Sequence, residues 1–161
     1  MINRLIEILG REAALFESFL QLLEQQQKAL VENDADELNR VTVLQREKLI
    51  ESNILNKQRE DILENIRADN AITGDLTVMR LLAMVDQNQA DQLSLLRKSI
   101  LLLNDKILKT RNQNARLLNK SRHYIQRMME MLSRVGKTDN GYSSKGTENN
   151  TSMTIALDRR V

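Results

Sequence analysis

His123 is the only histidine and cysteine is absent, so the side chains that ordinarily ligate zinc, carry redox chemistry or activate a nucleophile are reduced to one. No Glu-x-x-His pair, Ser-His-Asp set or glycine-rich phosphate loop can be assembled. His123 falls on the solvent side of a helical pattern with no acid placed as a co-ligand. Glu7 with Glu12, and Asp86 with Asp91, are expected to be solvated or ion-paired carboxylates. The expectation is a protein without catalytic residues, metal or cofactor. What remains is the chemistry of association. Leu117 to Val135 reads LLNKSRHYIQRMMEMLSRV. Leu117, Leu118, Tyr124, Ile125, Met128, Met131, Leu132 and Val135 recur at threes, fours and sevens, which places them on one helical stripe. Three of the seven methionines lie here, Met128, Met129 and Met131, and methionine suits surfaces that must adapt to a partner. Arg116, Lys120, Arg122, Arg127 and Arg134 flank the stripe, with Glu130 the only acid among them.

The rest of the chain must position that helix. Its 161 residues favour one domain. With no Pro, Cys or Trp, 2% aromatic and 29% charged residues, the composition is that of long helices joined through aliphatic seams. Phe16, Phe19, Tyr124 and Tyr142 are the whole aromatic inventory, too little for a thick core or a stacking platform. No run approaches the ~18 apolar residues of a membrane span, and MINRLIEILG lacks the features of a signal peptide. The expected setting is cytoplasmic, without stable membrane insertion. Charge is unevenly spread: residues 1–105 hold 12 basic and 18 acidic side chains, net −6, and residues 106–161 hold 12 and 4, net +8. Such asymmetry marks a partner-facing surface or a solvated tail.

Ile2, Ile6, Leu9, Ala13, Phe16, Leu20, Leu23, Gln27 and Leu30 alternate by fours and threes, the seam of a helix packed lengthwise over about 2–32. Gly10 within it marks either a close helix approach or a tolerated glycine. Asn33-Asp34-Ala35-Asp36-Glu37 is a break with capping-box spacing between Asp34 and Glu37, and a turn this short makes the next helix antiparallel. That helix, about 35–68, offers Leu38, Val41, Leu44, Leu55, Ile62 and Ile66, with Gln45, Lys48, Ser52 and Arg59 on its seam. Arg59 should sit level with Glu12 and Asp86 as a polar layer. After a loop at Asp69 to Asp75, with Gly74 in the turn and Thr73 or Asp75 as cap, a third helix is expected over 76–135 without a breaker until Gly136. Its first apolar block, Met79 to Ile107, is followed by the polar Lys109 to Arg116. At ~1.5 Å per residue the three helices are about 45, 50 and 90 Å long. The third should therefore outrun the others near residue 109, leaving 109–135 for a partner. The fold class is thus all-α, an elongated antiparallel three-helix bundle with a long third helix, residues 1–135, and a flexible tail, 136–161.

Three features together carry a resemblance: the antiparallel pair, the longer third helix ending in a basic amphipathic segment, and a tail with Tyr142-Ser143-Ser144-Lys145-Gly146 followed by Ile155-Ala156-Leu157-Asp158. The arrangement resembles the FlgN family, bacterial flagellar export chaperones for hook-filament junction proteins. The resemblance implies that Leu117, Leu118, Ser121, Tyr124, Ile125, Met128, Met131, Leu132 and Val135 grip the C-terminal helices of hook-associated proteins 1 and 3. Arg116, Lys120, Arg127 and Arg134 would form the rim. Tyr142 and Gly146 would help dock the complex on the export gate. The polar Lys109 to Arg116 stretch departs from the pattern and leaves open whether the third helix is one rod or two.

Two other functions fit the residues alone. The stripe could close a bundle with itself or with a second copy, making a homodimer or structural coiled-coil adaptor. A basic helix could bind nucleic acid, although Tyr124 is its only stacking residue and the other two-thirds is acidic. The basic segment could also fold back onto that acidic part when no client is bound.

Overall fold

The computed structural model describes residues 1–72 and 76–138, with side-chain surroundings through Arg134. The described residues are all-α: α1 (Ile2–Glu32), α2 (Ala35–Asp69), α3 (Val78–Ala83) and α4 (Gln87–Thr138). The chain divides into two compact units, Met1–Arg122 and a second starting at His123.

The turn after α1 follows from two short polar residues. Asn33 takes the left-handed conformation, φ 55°, which asparagine tolerates better than most residues. Asp34 then accepts a hydrogen bond from the Glu37 N–H at 2.9 Å, satisfying a donor at the start of α2 that no helical carbonyl can reach. Only half of the expected capping box forms. The Glu37 carboxylate turns forward to the Arg40 guanidinium at 2.6 and 2.7 Å. That hydrogen bond lowers the Glu37 pKa and raises that of Arg40. A depressed carboxylate contributes above its unfolded pKa, and the contribution fades as pH falls through the folded value.

Side-chain pairs fix the helix directions. Gln25 meets Arg40, the Leu22 carbonyl meets Gln45 and Glu12 meets Arg59, so partners move back along α1 as they move forward along α2. The two helices are antiparallel. Asn3 with Gln89 and Gln27 with Gln113 make the first unit's part of α4 parallel to α1.

The most buried line of α1 is Leu5, Ile8, Glu12, Leu15, Leu22 and Ala29, one position off the expected seam. Of that expected set only Leu23 is buried, and the others are half-buried. The reason is that α1 has two neighbours and so two adjacent seams, each with heptad spacing. The α2 face is as expected, with Val41, Leu55, Ile62 and Ile66 buried and Gln45, Lys48, Ser52 and Arg59 half-buried. Gly10 is no close approach: a Cβ there would meet nothing within 4 Å.

The single third helix expected over 76–135 is not what forms. Thr77 caps the six-residue α3 through its hydroxyl, which accepts from the Arg80 N–H. The chain then leaves the helix at Met84, and Asp86 starts α4 by accepting from the Gln89 N–H at 2.8 Å. Short polar side chains compete with the helix for backbone donors, and the break falls where two of them stand. Asp86 is therefore a cap and not a member of the polar layer, which consists of Glu12 and Arg59 with Asn56. The residues of 78–86 serve the core instead of the rod. Leu81 joins Leu5, Ile8, Ile62, Ile66 and Leu93 in a buried cluster, each side chain contributing on the order of 1.5–3 kcal/mol. Residues 73–75, where the turn glycine Gly74 and the alternative caps Thr73 and Asp75 were expected, lie outside the described residues. At its other end α4 runs through Gly136 to Thr138, so Gly136 is not its terminator.

Candidate functional site

The polar stretch Lys109 to Arg116 lies within one uninterrupted helix, α4. It is also not where α1 ends. Asn114 is buried, 4% exposed, and its Nδ2 donates to the Leu23 carbonyl at 2.8 Å and to Gln26 Oε1 at 3.0 Å. Gln26 in turn donates to Gln45, so α1, α2 and α4 share a polar layer at this level. Leu117 lines a shallow depression with Gln27, Val31 and Glu32 at the end of α1. Packing on α1 thus reaches Leu117, eight residues further than the lengths suggested, because residues 78–86 are used for α3 and α4 starts only at Gln87.

Asn114 Oδ1 is buried without a partner. A polar residue on a heptad seam sets register at some cost in stability. Asn114→Leu is therefore expected to raise the unfolding free energy in a urea melt by about 1 kcal/mol, while light scattering shows more than one oligomeric state. Loss of stability would contradict this.

Two lines of side chains, each seven apart, run along α4. One is Leu93, Ile100, Ile107, Asn114, Ser121, Met128; the other is Leu96, Leu103, Thr110, Leu117, Tyr124, Met131. Every member from Leu93 to Ser121 is buried or half-buried, and Tyr124, Met128 and Met131 are exposed. Within the second unit, Tyr124, Ile125, Met128, Met129, Met131 and Leu132 are 46–67% exposed. The pattern that is core upstream continues in the same register, exposed among the described residues. Leu118 is likewise half exposed, at 50%. Exposed apolar side chains rimmed by charge are a feature that interaction sites share.

Of the rim, Arg116, Lys120, Arg122 and Arg127 are exposed and make no ion pair among the described residues; Arg134 is exposed as well. His123 is exposed, and no group of three or more His, Cys, Asp or Glu that could hold a metal occurs among the described residues. No described helix is long and apolar enough to cross a membrane. Val135 continues the first line on the α4 backbone, but its side chain lies outside the described residues, as do Tyr142 and Gly146. Sequence reasoning missed Asn114 and Gln26 as structural contacts. The signal available was the seven-residue spacing that carries Asn114 on from Ile107.

A protein-family model with the description FlgN protein matches residues 1–150. No curated protein and no solved structure matches the chain.

Proposed function

The chain belongs to the FlgN family of flagellar export chaperones, and from that premise we propose that α4 binds hook-filament junction proteins through Leu117 to Val135. The clients are the C-terminal helices of hook-associated proteins 1 and 3. Such segments are amphipathic coiled-coil formers, and a chaperone that covers their apolar faces in the cytoplasm keeps them from associating before export. The carrying observation is the register of the α4 seam, which passes from buried to open after Ser121.

A helix laid along that seam would meet anchors at Tyr124, Met128 and Met131, with Leu118, Ile125 and Leu132 on the line beside it. The cations of Arg116, Lys120, Arg127 and Arg134 would steer an acidic helix into place and speed its encounter. Leu117, half-buried beside the end of α1, and the half-buried Ser121 one turn on would mark the upstream limit of the site. Residues 109–116, already engaged with α1, then serve as its support. Tyr142 and Gly146 would act afterwards, when the loaded complex meets the export gate.

The test is complex formation between the full chain and a C-terminal helical segment of hook-associated protein 1 or 3. A one-to-one complex by size-exclusion light scattering is expected. A truncation ending at Arg122 should keep the circular dichroism of a helical protein and lose the complex. If the truncated protein binds as tightly, the stripe is not the site. A full chain that is a dimer without client, and a monomer when truncated, would instead favour self-association.

A further inference from the structure

The first unit carries apolar depressions that the α4 stripe does not explain. Two of them are walled by α2 and α4 over a floor of α1. The first, about 250 Å³, has Leu9 on the floor, Leu63 on one wall and Leu101 on the other, with α3 closing one end. The second, about 270 Å³, has Phe16 and Phe19 on the floor, Leu49 on one wall and Ile107 on the other. Leu49 and Leu101 remain 54% and 55% exposed, so each depression has an apolar lip with no partner among the described residues.

Their spacing is set by the helices. From one to the other is ten or eleven residues along each of the three helices that line them, which at ~1.5 Å per residue is about 15 Å. That is the rise between side chains eleven apart on a helix, three turns that return to nearly the same face.

Charge identifies the occupant. Arg59 and Arg97 line the first depression and Lys48 and Arg111 the second, with no carboxylate lining either. Arg59 and Lys48 are engaged by Glu12 and Glu51, but Arg97 and Arg111 make no ion pair among the described residues. A cationic helix is disfavoured there, and the chain's own 116–134 segment, with five cations and one acid, is such a helix. We propose that this groove docks an amphipathic helix of a partner protein that carries two large apolar side chains eleven residues apart and acidic residues beside them. It is a second protein-binding surface, on the other unit from Ile125 and Met128, and it does not depend on the client assignment.

The probe is a fluorescein-labelled helical peptide of about 18 residues, five turns, with leucine anchors eleven apart and glutamate flanks. Its anisotropy is followed with the full chain. Saturable binding is expected, weakened about tenfold or more when lysine replaces the glutamates. Leu49→Glu with Leu101→Glu should weaken it at least as much, with circular dichroism unchanged because both positions are exposed. Ile125→Glu with Met128→Glu should leave it unaltered. No saturable binding overturns the proposal, as does equal affinity for the lysine peptide. So does loss in the Ile125/Met128 variant but not in the Leu49/Leu101 variant. A free protein that is dimeric, and becomes monomeric with Leu49→Glu and Leu101→Glu, also overturns it, because the occupant is then a second copy.

Discussion

Replacing Ile125 and Met128 together by glutamate is expected to weaken client binding at least 100-fold while leaving the thermal midpoint of the free protein unchanged. Both halves follow from exposure. In the free chain these side chains are 57% and 46% exposed, so charging them removes little folding contact. On binding, each would be covered by a helix, and burying an aliphatic side chain is worth about 1.5–3 kcal/mol. Losing two such contacts is about 3–6 kcal/mol, and every 1.4 kcal/mol is tenfold in affinity. The carboxylates add desolvation on top. Titration calorimetry against a junction-protein C-terminal segment reads the first half and a thermal melt the second. Arg127→Glu is the contrasting case: a rim charge acts mainly on the association rate and its salt dependence. Binding within threefold of the wild type in the double variant would mean that the client lies elsewhere.

The open stripe was legible in the sequence because heptad spacing continues regardless of whether a neighbouring helix is present. Ser121 and Met128 follow Leu93, Ile100 and Ile107 at sevens, and Tyr124 and Met131 follow Leu96, Leu103 and Leu117. What spacing does not encode is where the neighbouring helix stops. The expected handover near residue 109 assumed one helix from 76 onward. The hydroxyl of Thr77 and the carboxylate of Asp86 each capture a backbone donor and divide that run, so the reach shifts to Leu117. Both are exposed polar residues in a helical pattern, and their propensity alone does not distinguish a cap from a solvated position. The α1 seam was misplaced for a related reason. A helix with two neighbours has two interleaved heptads, and the greasier one, Ile2 to Leu30, is only half-buried apart from Leu23. The deepest line contains Glu12, whose charge hides it from a hydrophobic count. The groove over Phe16 and Phe19 was not legible at all, because it depends on three helices leaving a gap and not on any one pattern.

Glu12 also carries the largest expected effect on stability. Its side chain is 6% exposed and both carboxylate oxygens lie 2.9 Å from Arg59 Nη1, whereas the Arg59 side chain is 32% exposed. Arg59→Leu strands a buried carboxylate, and breaking such a pair from one side costs about 3–5 kcal/mol. Glu12→Leu should cost clearly less, because the long arginine stem lets its guanidinium reach water. Changing both to leucine removes the charges together, and replacing a buried ion pair by apolar side chains of fitting volume is commonly neutral or stabilising by about 1–4 kcal/mol. The order expected in urea melts is therefore the double variant at or above the wild type, Glu12→Leu below it, and Arg59→Leu lowest. An Arg59→Leu loss under about 1 kcal/mol would show the pair to be screened like a surface bridge. A double variant as unstable as Arg59→Leu would show that the pair is needed for more than mutual neutralisation. In that event the loss should reach the depression that Arg59 lines, where Leu9, Leu63 and Leu101 converge, and peptide capture there should fall with stability. If only the charge balance matters, the double variant keeps both the fold and the groove.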